Sequence, residues 1–271
     1  MAGPSDAPLP RREAVTGRGA AAGGLRTLTV LGCDGSYAGP GGACSGYLVQ
    51  TGSTTVWLDA GPGSFANLQL VCHPAAVDAV LLSHEHPDHW TDLESFAVWR
   101  RQHASGAVPV YAPPGLRQRS YFGDDPSLGW QEVGPAHRVR VGELTCSFVA
   151  TDHGPPTLAV RLDPPETPAS EADLSGSLAY SADTGPDWSV EELGRGIGTV
   201  LCDASFTRDR EGEGRHLSGR QAGTMAAEAG AGRLVVTHRW PTVSAEALAD
   251  EADAAFGHPV HQAGAGRVFE W

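Results

Sequence analysis

The chain has 271 residues, 41% of them apolar, which is enough for a sizeable core, and its 35 glycines and 20 prolines imply many turns. A formal net charge of −13, with no basic cluster beyond pairs such as Arg11-Arg12 and Arg100-Arg101, disfavours binding of bulk nucleic acid, because an acidic surface repels polyanions. No apolar run approaches the ~18 residues that would span a membrane.

Residues 1–24 are rich in Ala, Gly and Pro and poor in large apolar side chains, the composition of a disordered tail. The residues after Arg11-Arg12 (among them Glu13, Gly17 and Arg18) do not form the apolar stretch of an export signal, so a cytoplasmic location is expected. The ordered part begins near Leu25. Thr27 to Leu31 reads as a strand, Tyr47 to Val49 and Val56 to Leu58 as a hairpin, and Ala79 to Leu82 as a short buried strand that runs into His84. Thr91 and Glu94 have capping-box spacing and open a predicted helix through Trp99-Arg100. A strand at Val108 to Tyr111 is followed by a hairpin from Val139 to Val149 that turns at Gly142-Glu143, then by a strand at Leu158 to Leu162 and a Pro-rich loop over 163–175. In the last third, strands end at Tyr180, Cys202 and Val236. They alternate with a helix capped by Ser218 and Gln221 and a helix from Ser244 to Phe256. Such alternation indicates a mixed α/β fold. The five cysteines lack a C-x-x-C pair and read as core thiols in a reduced compartment.

His84-Glu85-His86-Pro87-Asp88-His89 carries four metal-ligand side chains within six residues. In extended chain His84 and His86 share a face, so two imidazoles can grip one ion. Pro87 then bends the chain and turns Asp88 and His89 toward a second position. His153, Asp183 and His238 each come after an apolar run, which brings the ligand-type residues to seven. A catalytic zinc takes about three protein ligands and keeps an open position, so seven residues suit two ions. A single histidine is more often a solvated surface residue. His73, His103, His137, His258 and His261 are read as ordinary surface or satisfied residues.

Ser83 to His89 resembles the signature of metallo-β-lactamase-fold hydrolases, and the likeness runs from about residue 26 to the C-terminus. Asp59 in Leu58-Asp59-Ala60-Gly61 looks like the family's structural aspartate, which braces the histidine loop. Thr151 to Pro156 looks like the third-histidine motif of the ribonuclease Z-like branch, Ser181 to Gly185 like its bridging-aspartate motif, and Val236-Thr237-His238 like its last ligand motif. The resemblance implies a four-layer αββα sandwich with two mixed β-sheets over 25–271. His84, His86 and His153 would hold one ion, Asp88, His89 and His238 the other, and Asp183 would bridge them. Within the branch, Gly35-Ser36, Gly39-Pro40, Val98 to Arg101 and His216 to Gly219 look like actinobacterial cyclic-nucleotide phosphodiesterases.

Two departures from ribonuclease Z bear on the substrate. The glutamate of its His-Glu-Ala-Thr-Phe segment is replaced by Asp203 in Cys202 to Phe206, and only 29 residues separate His153 from Asp183, too few for its long tRNA-gripping insertion. The expected activity is therefore a dinuclear zinc phosphodiesterase, with manganese or iron(II) as alternative metals, acting on a small phosphodiester such as a cyclic nucleotide. A shared hydroxide would attack phosphorus. Asp88, Asp203 and His216 are the candidate catalytic side chains, and Asp203 and His216 would serve the leaving group. The helix dipole beyond His216 is expected to disfavour its protonation. A ribonuclease Z-like endonuclease and a thioester or lactone hydrolase are the rival activities. A redox di-iron protein usually carries glutamate where this chain has His86. No membrane partner is expected, and a homodimer is compatible with the sequence.

Overall fold

The computed structural model describes residues 25–168 and 171–271, and the tail expected over residues 1–24 lies outside the described residues. Each half of the chain starts as an antiparallel meander and continues as parallel strands. In the first half, β1 (Thr27–Gly32), β2 (Gly46–Gln50) and β3 (Thr55–Ala60) pair antiparallel, and β4 (Ala79–Leu81), β5 (Val108–Ala112) and β6 (Leu128–Glu132) extend the sheet in parallel. In the second, β7 (Arg138–Val141), β8 (Leu144–Ala150), β9 (Leu158–Asp163) and β10 (Leu178–Tyr180) run antiparallel, followed by parallel β11 (Thr199–Asp203), β12 (Leu234–Thr237) and β13 (His261–Gln262). The last strand, β14 (Val268–Glu270), returns to pair with β1, which gives two seven-stranded sheets.

The two-residue period of the strands decides what each side chain meets. Leu28, Val30, Tyr47, Val49 and Leu58 face Phe148, Val160, Leu162, Tyr180 and Leu201 of the other sheet in one buried cluster. The alternate residues Leu48, Trp57 and Val80 face α1 (Ser64–Val71) and α2 (Asp92–His103), where the rings of Trp57, Phe65 and Phe96 lie 5.3–6.0 Å apart. On the far side, Ala179, Val200, Leu234 and Val236 pack under α4 (Gly219–Glu228) and α5 (Ala245–Phe256). A short α3 (Leu116–Arg119) comes after β5. The layers are therefore helix, sheet, sheet, helix, as the resemblance implied.

The Ser218 capping box forms, with Ser218 Oγ accepting from Gln221 N and Gln221 answering to Ser218 N. The Thr91 box does not. Thr91 is already helical, because the short turn Pro87–His89 runs straight into α2; its hydroxyl donates to Pro87 O at 2.9 Å, and Glu94 accepts from Tyr121 N at 2.9 Å. Helices α1 and α3 and strands β6, β13 and β14 were not expected from the sequence. In α1, Leu70 is 82% exposed and Val71 also faces solvent, so its apolar residues show no single stripe. No helix among the described residues is long and apolar enough to cross a membrane.

Candidate metal centre

The histidine loop leaves the carboxyl end of β4 and is held from behind by Asp59, which is fully buried just before the end of β3. Asp59 Oδ1 accepts from Ser83 N at 2.7 Å. Asp59 Oδ2 accepts from Ser83 Oγ (2.8 Å), His89 Nδ1 (2.7 Å) and, across the sheet interface, Tyr180 OH (2.8 Å). Asp59 has φ +52°, a left-handed conformation that costs a non-glycine residue about 1–2 kcal/mol. Four hydrogen bonds hold it there. The loop then folds back so closely that a Cβ at Gly61 would lie 2.0 Å from Asp88 O. Glycine is required at that position.

The second half meets this loop from three strand ends. His153 lies just past β8, Asp183 past β10 and His238 past β12; all three are buried. Asp183 lies between two groups of histidines and gives each group one oxygen. Its Oδ2 is 3.5 Å from His84 Nε2 and 3.7 Å from His153 Nε2, while its Oδ1 is 3.2 Å from His89 Nε2 and 3.4 Å from His238 Nε2. His86 Nδ1 lies 3.1 Å from His153 Nε2, and Asp88 Oδ2 lies 3.2 Å from His238 Nε2. All seven residues singled out in the sequence as ligands are thus brought together.

The outer hydrogen bonds fix which nitrogen of each ring faces inward. A carboxylate only accepts, so Ser83 Oγ donates to Asp59 and takes the Nδ1 proton of His84 at 2.9 Å. Ser205 does the same for His238, with 2.9 Å to Nδ1 and 2.8 Å to Asp203 Oδ1. His89 donates Nδ1–H to Asp59, and His153 donates Nδ1–H to Arg215 O at 3.0 Å. Each of these rings therefore turns an Nε2 lone pair toward Asp183. Lone pairs in such proximity repel unless a proton or a cation lies among them, and His89 Nε2 and His238 Nε2 are only 3.1 Å apart. His84 Nε2 and Asp183 Oδ1 are buried with no hydrogen-bond partner. Ligand atoms about 2.0–2.2 Å from a tetrahedral ion are about 3.3–3.6 Å from one another. The observed spacings match that edge length, so the donor set fits divalent metal ions.

The electrostatics agree. Burial raises the Asp183 carboxyl, but His238, His89 and His84 outweigh it and hold it well below the ordinary carboxylate range. Burial pushes His84, His86 and His153 below their usual value, toward the neutral ligand form. Burial also lowers His89, but Asp183, Asp88 and Asp59 reverse that and raise it well above. Protons and divalent cations compete for this ring, so ion uptake releases a proton.

Asp203 ends β11 with no exposure. Its Oδ2 accepts from His216 Nδ1 at 3.0 Å and from Thr184 N at 3.2 Å. The helix dipole does not set the direction at His216. Burial lowers this ring, but the carboxylates of Asp203 and Asp183 outweigh it and raise it to about 9. A contacting full charge outweighs partial charges that lie beyond the Ser218 cap.

Residues 54–239 match the Beta-lactamase superfamily domain. The chain belongs to this superfamily. An uncharacterized protein of Mycobacterium tuberculosis is 38% identical over 263 residues, covering 90% of this chain and 91% of its own. Ribonuclease Z of Methanopyrus kandleri is 28% identical, covering 84% and 92% respectively. The crystal structure of the metallo-beta-lactamase fold protein YhfI from Bacillus subtilis has a TM-score of 0.80 and 26% identity over 90% of this chain and 99% of its own. These likenesses support the ribonuclease Z-like branch. The chain is a metallo-hydrolase of the beta-lactamase superfamily.

In this superfamily member the sequence located the inward-facing side chains but missed several that hold them. Tyr180 reaches Asp59 from 121 positions away, and Arg215 holds the His153 ring through its backbone carbonyl, so neither gives a local signal. Ser36 N donates to Asp88 Oδ2 at 2.8 Å from a loop that lies against His238, where a Cβ at Gly35 would fall 2.2 Å from His238 O. Ser205 had a legible signal: it stands two residues past Asp203 at a strand end, the same-face spacing that flagged His84 and His86. The five histidines read as ordinary surface residues, His73, His103, His137, His258 and His261, are all exposed.

Proposed function

We propose that the chain is a dinuclear zinc phosphodiesterase acting on a small phosphodiester, a cyclic nucleotide being the favoured substrate. His84, His86 and His153 would hold one ion and Asp88, His89 and His238 the other, with Asp183 shared. The observation that carries this reading is the division of Asp183, one oxygen toward each histidine group. Bound zinc supplies Lewis acidity and a nucleophilic water at neutral pH. The remaining roles belong to the chain. Asp59 and Asp203 fix the ring orientations, and burial of the cage strengthens its field. His216, with Nδ1 held by Asp203, carries a transferable proton on Nε2 for the leaving alkoxide, a role worth about 10²–10⁴ in rate.

Phosphodiester chemistry is supported by the ribonuclease Z relative, and a small substrate by the form of the β9–β10 connection. Strand β9 begins beside the histidine loop, with Leu158 N donating to Ser83 O, and runs away from it. The connection to β10 therefore leaves and rejoins the sheet at the end remote from the site. The net charge of −13 also disfavours long polyanions.

The test is metal content and turnover on one sample, with cyclic AMP, bis(p-nitrophenyl) phosphate, a structured RNA and a panel of thioesters and lactones. Two zinc ions per chain with cyclic AMP hydrolysis is the expected result. Thioester or lactone turnover without phosphodiester cleavage would replace this substrate class, and RNA cleavage alone would favour the endonuclease.

A further inference from the structure

Ser205 is not among the inward-facing residues, yet three contacts of its hydroxyl bear on them. It is fully buried just past β11, with Oγ 2.8 Å from Asp203 Oδ1, 2.9 Å from His238 Nδ1 and 3.1 Å from His238 O. One hydroxyl hydrogen serves only one acceptor. Given to Asp203, it leaves the oxygen lone pairs for the Nδ1 proton of His238, and the opposite nitrogen faces Asp88, His89 and Asp183. His238 also has φ +59°, a conformation unusual for histidine, and its chain neighbours are bracketed by the Ser205 segment: Ala204 N donates to Thr237 O and Trp240 N to Ser205 O. Asp203 meanwhile uses its other oxygen on His216.

We propose that Ser205 is the positioning residue of the second ion site, and that through it one carboxylate, Asp203, serves both His238 and His216. This rests on the two-ion reading of the centre. Without the hydroxyl, Asp203 is left 3.8 Å from His238 Nδ1, beyond hydrogen-bond range, and the imidazole loses its Nδ1 partner. The first ion site does not depend on this relay. Its own serine, Ser83, works through Asp59. Loss of Ser205 should therefore divide the two sites rather than weaken both.

The experiment uses the full chain, stripped by chelator and titrated with Zn²⁺ against a chromophoric competitor, and in parallel with Co²⁺ followed by its visible absorption. Ser205→Ala should take up the first ion like the parent and the second about 10–100-fold more weakly, the usual effect of removing an outer hydrogen-bond partner. Ser205→Thr, which keeps the hydroxyl, should restore the second ion. If Ser205→Ala does not fold, Ser205→Cys keeps the volume with a weak donor and should show the same selective loss. A folded variant lacking the hydroxyl that binds both ions as tightly as the parent, or weakens both equally, overturns the proposal. A parent that takes up only one ion overturns the two-ion reading itself.

Discussion

The two halves of the chain build the same centre in opposite ways. The first half supplies His84, His86, Asp88 and His89 from one loop after one strand, braced by one buried carboxylate. The second supplies His153, Asp183, Asp203 and His238 from four separate strand ends, with His216 just before α4. Each half nevertheless places a serine between a histidine and a buried carboxylate: Ser83 with His84 and Asp59, Ser205 with His238 and Asp203. The loop's four ligands are set by one local turn at Pro87, which Asp59 braces from β3. The geometry of the second half depends on sheet register, because a one-residue slip of β10 or β12 would send Asp183 or His238 to the other face.

If the halves meet at Asp183, its replacement should have the largest effect. Asp183→Asn removes the charge both groups face and should lose both ions, with activity down by at least about 10³-fold; metal analysis and turnover check it, and two retained ions would contradict the sharing. Next is His86→Ala, which should cost one of the two ions and most of the activity. His258→Ala, at an exposed position, should cost neither. Equal loss in both variants would break the distinction between site and surface histidines.

A smaller effect concerns His216, whose folded value is raised from 6.5 to about 9. A raised value stabilises the fold fully below the unfolded value, and the contribution is lost as pH rises through about 9. In the chelator-treated chain, urea unfolding of the parent against His216→Gln should show a gap at pH 6 that closes by pH 10. A gap that widens with pH would have the wrong sign. The smallest contrast sets one helix of each half against the other. Ser218→Ala breaks a formed capping box and should cost about 1–2 kcal/mol, whereas Thr91→Ala removes no cap and should stay within about 0.5 kcal/mol.

The same contrast explains what the sequence revealed. The loop was legible because Pro87 and the two-residue spacing of His84 and His86 act within six residues. His153, Asp183 and His238 were legible as ligand-type residues at strand ends, and the resemblance supplied their grouping. Tyr180 was not legible, since only folding brings its hydroxyl to Asp59; Ser205 was legible in its two-residue spacing from Asp203 and was overlooked. The Thr91 cap failed for a related reason: its spacing was right, but the turn before it left no extended residue to serve as a cap. Helix α1 was missed because tertiary packing of Phe65 and Leu68, rather than a clean apolar stripe, defines it.

That two remote halves of the chain share one carboxylate between two ions is tested most directly by zinc anomalous scattering from crystals of the metal-loaded chain. Two peaks are expected, one among His84, His86 and His153 and one among Asp88, His89 and His238, with Asp183 between them. A single peak, or two peaks without Asp183 between them, would contradict it.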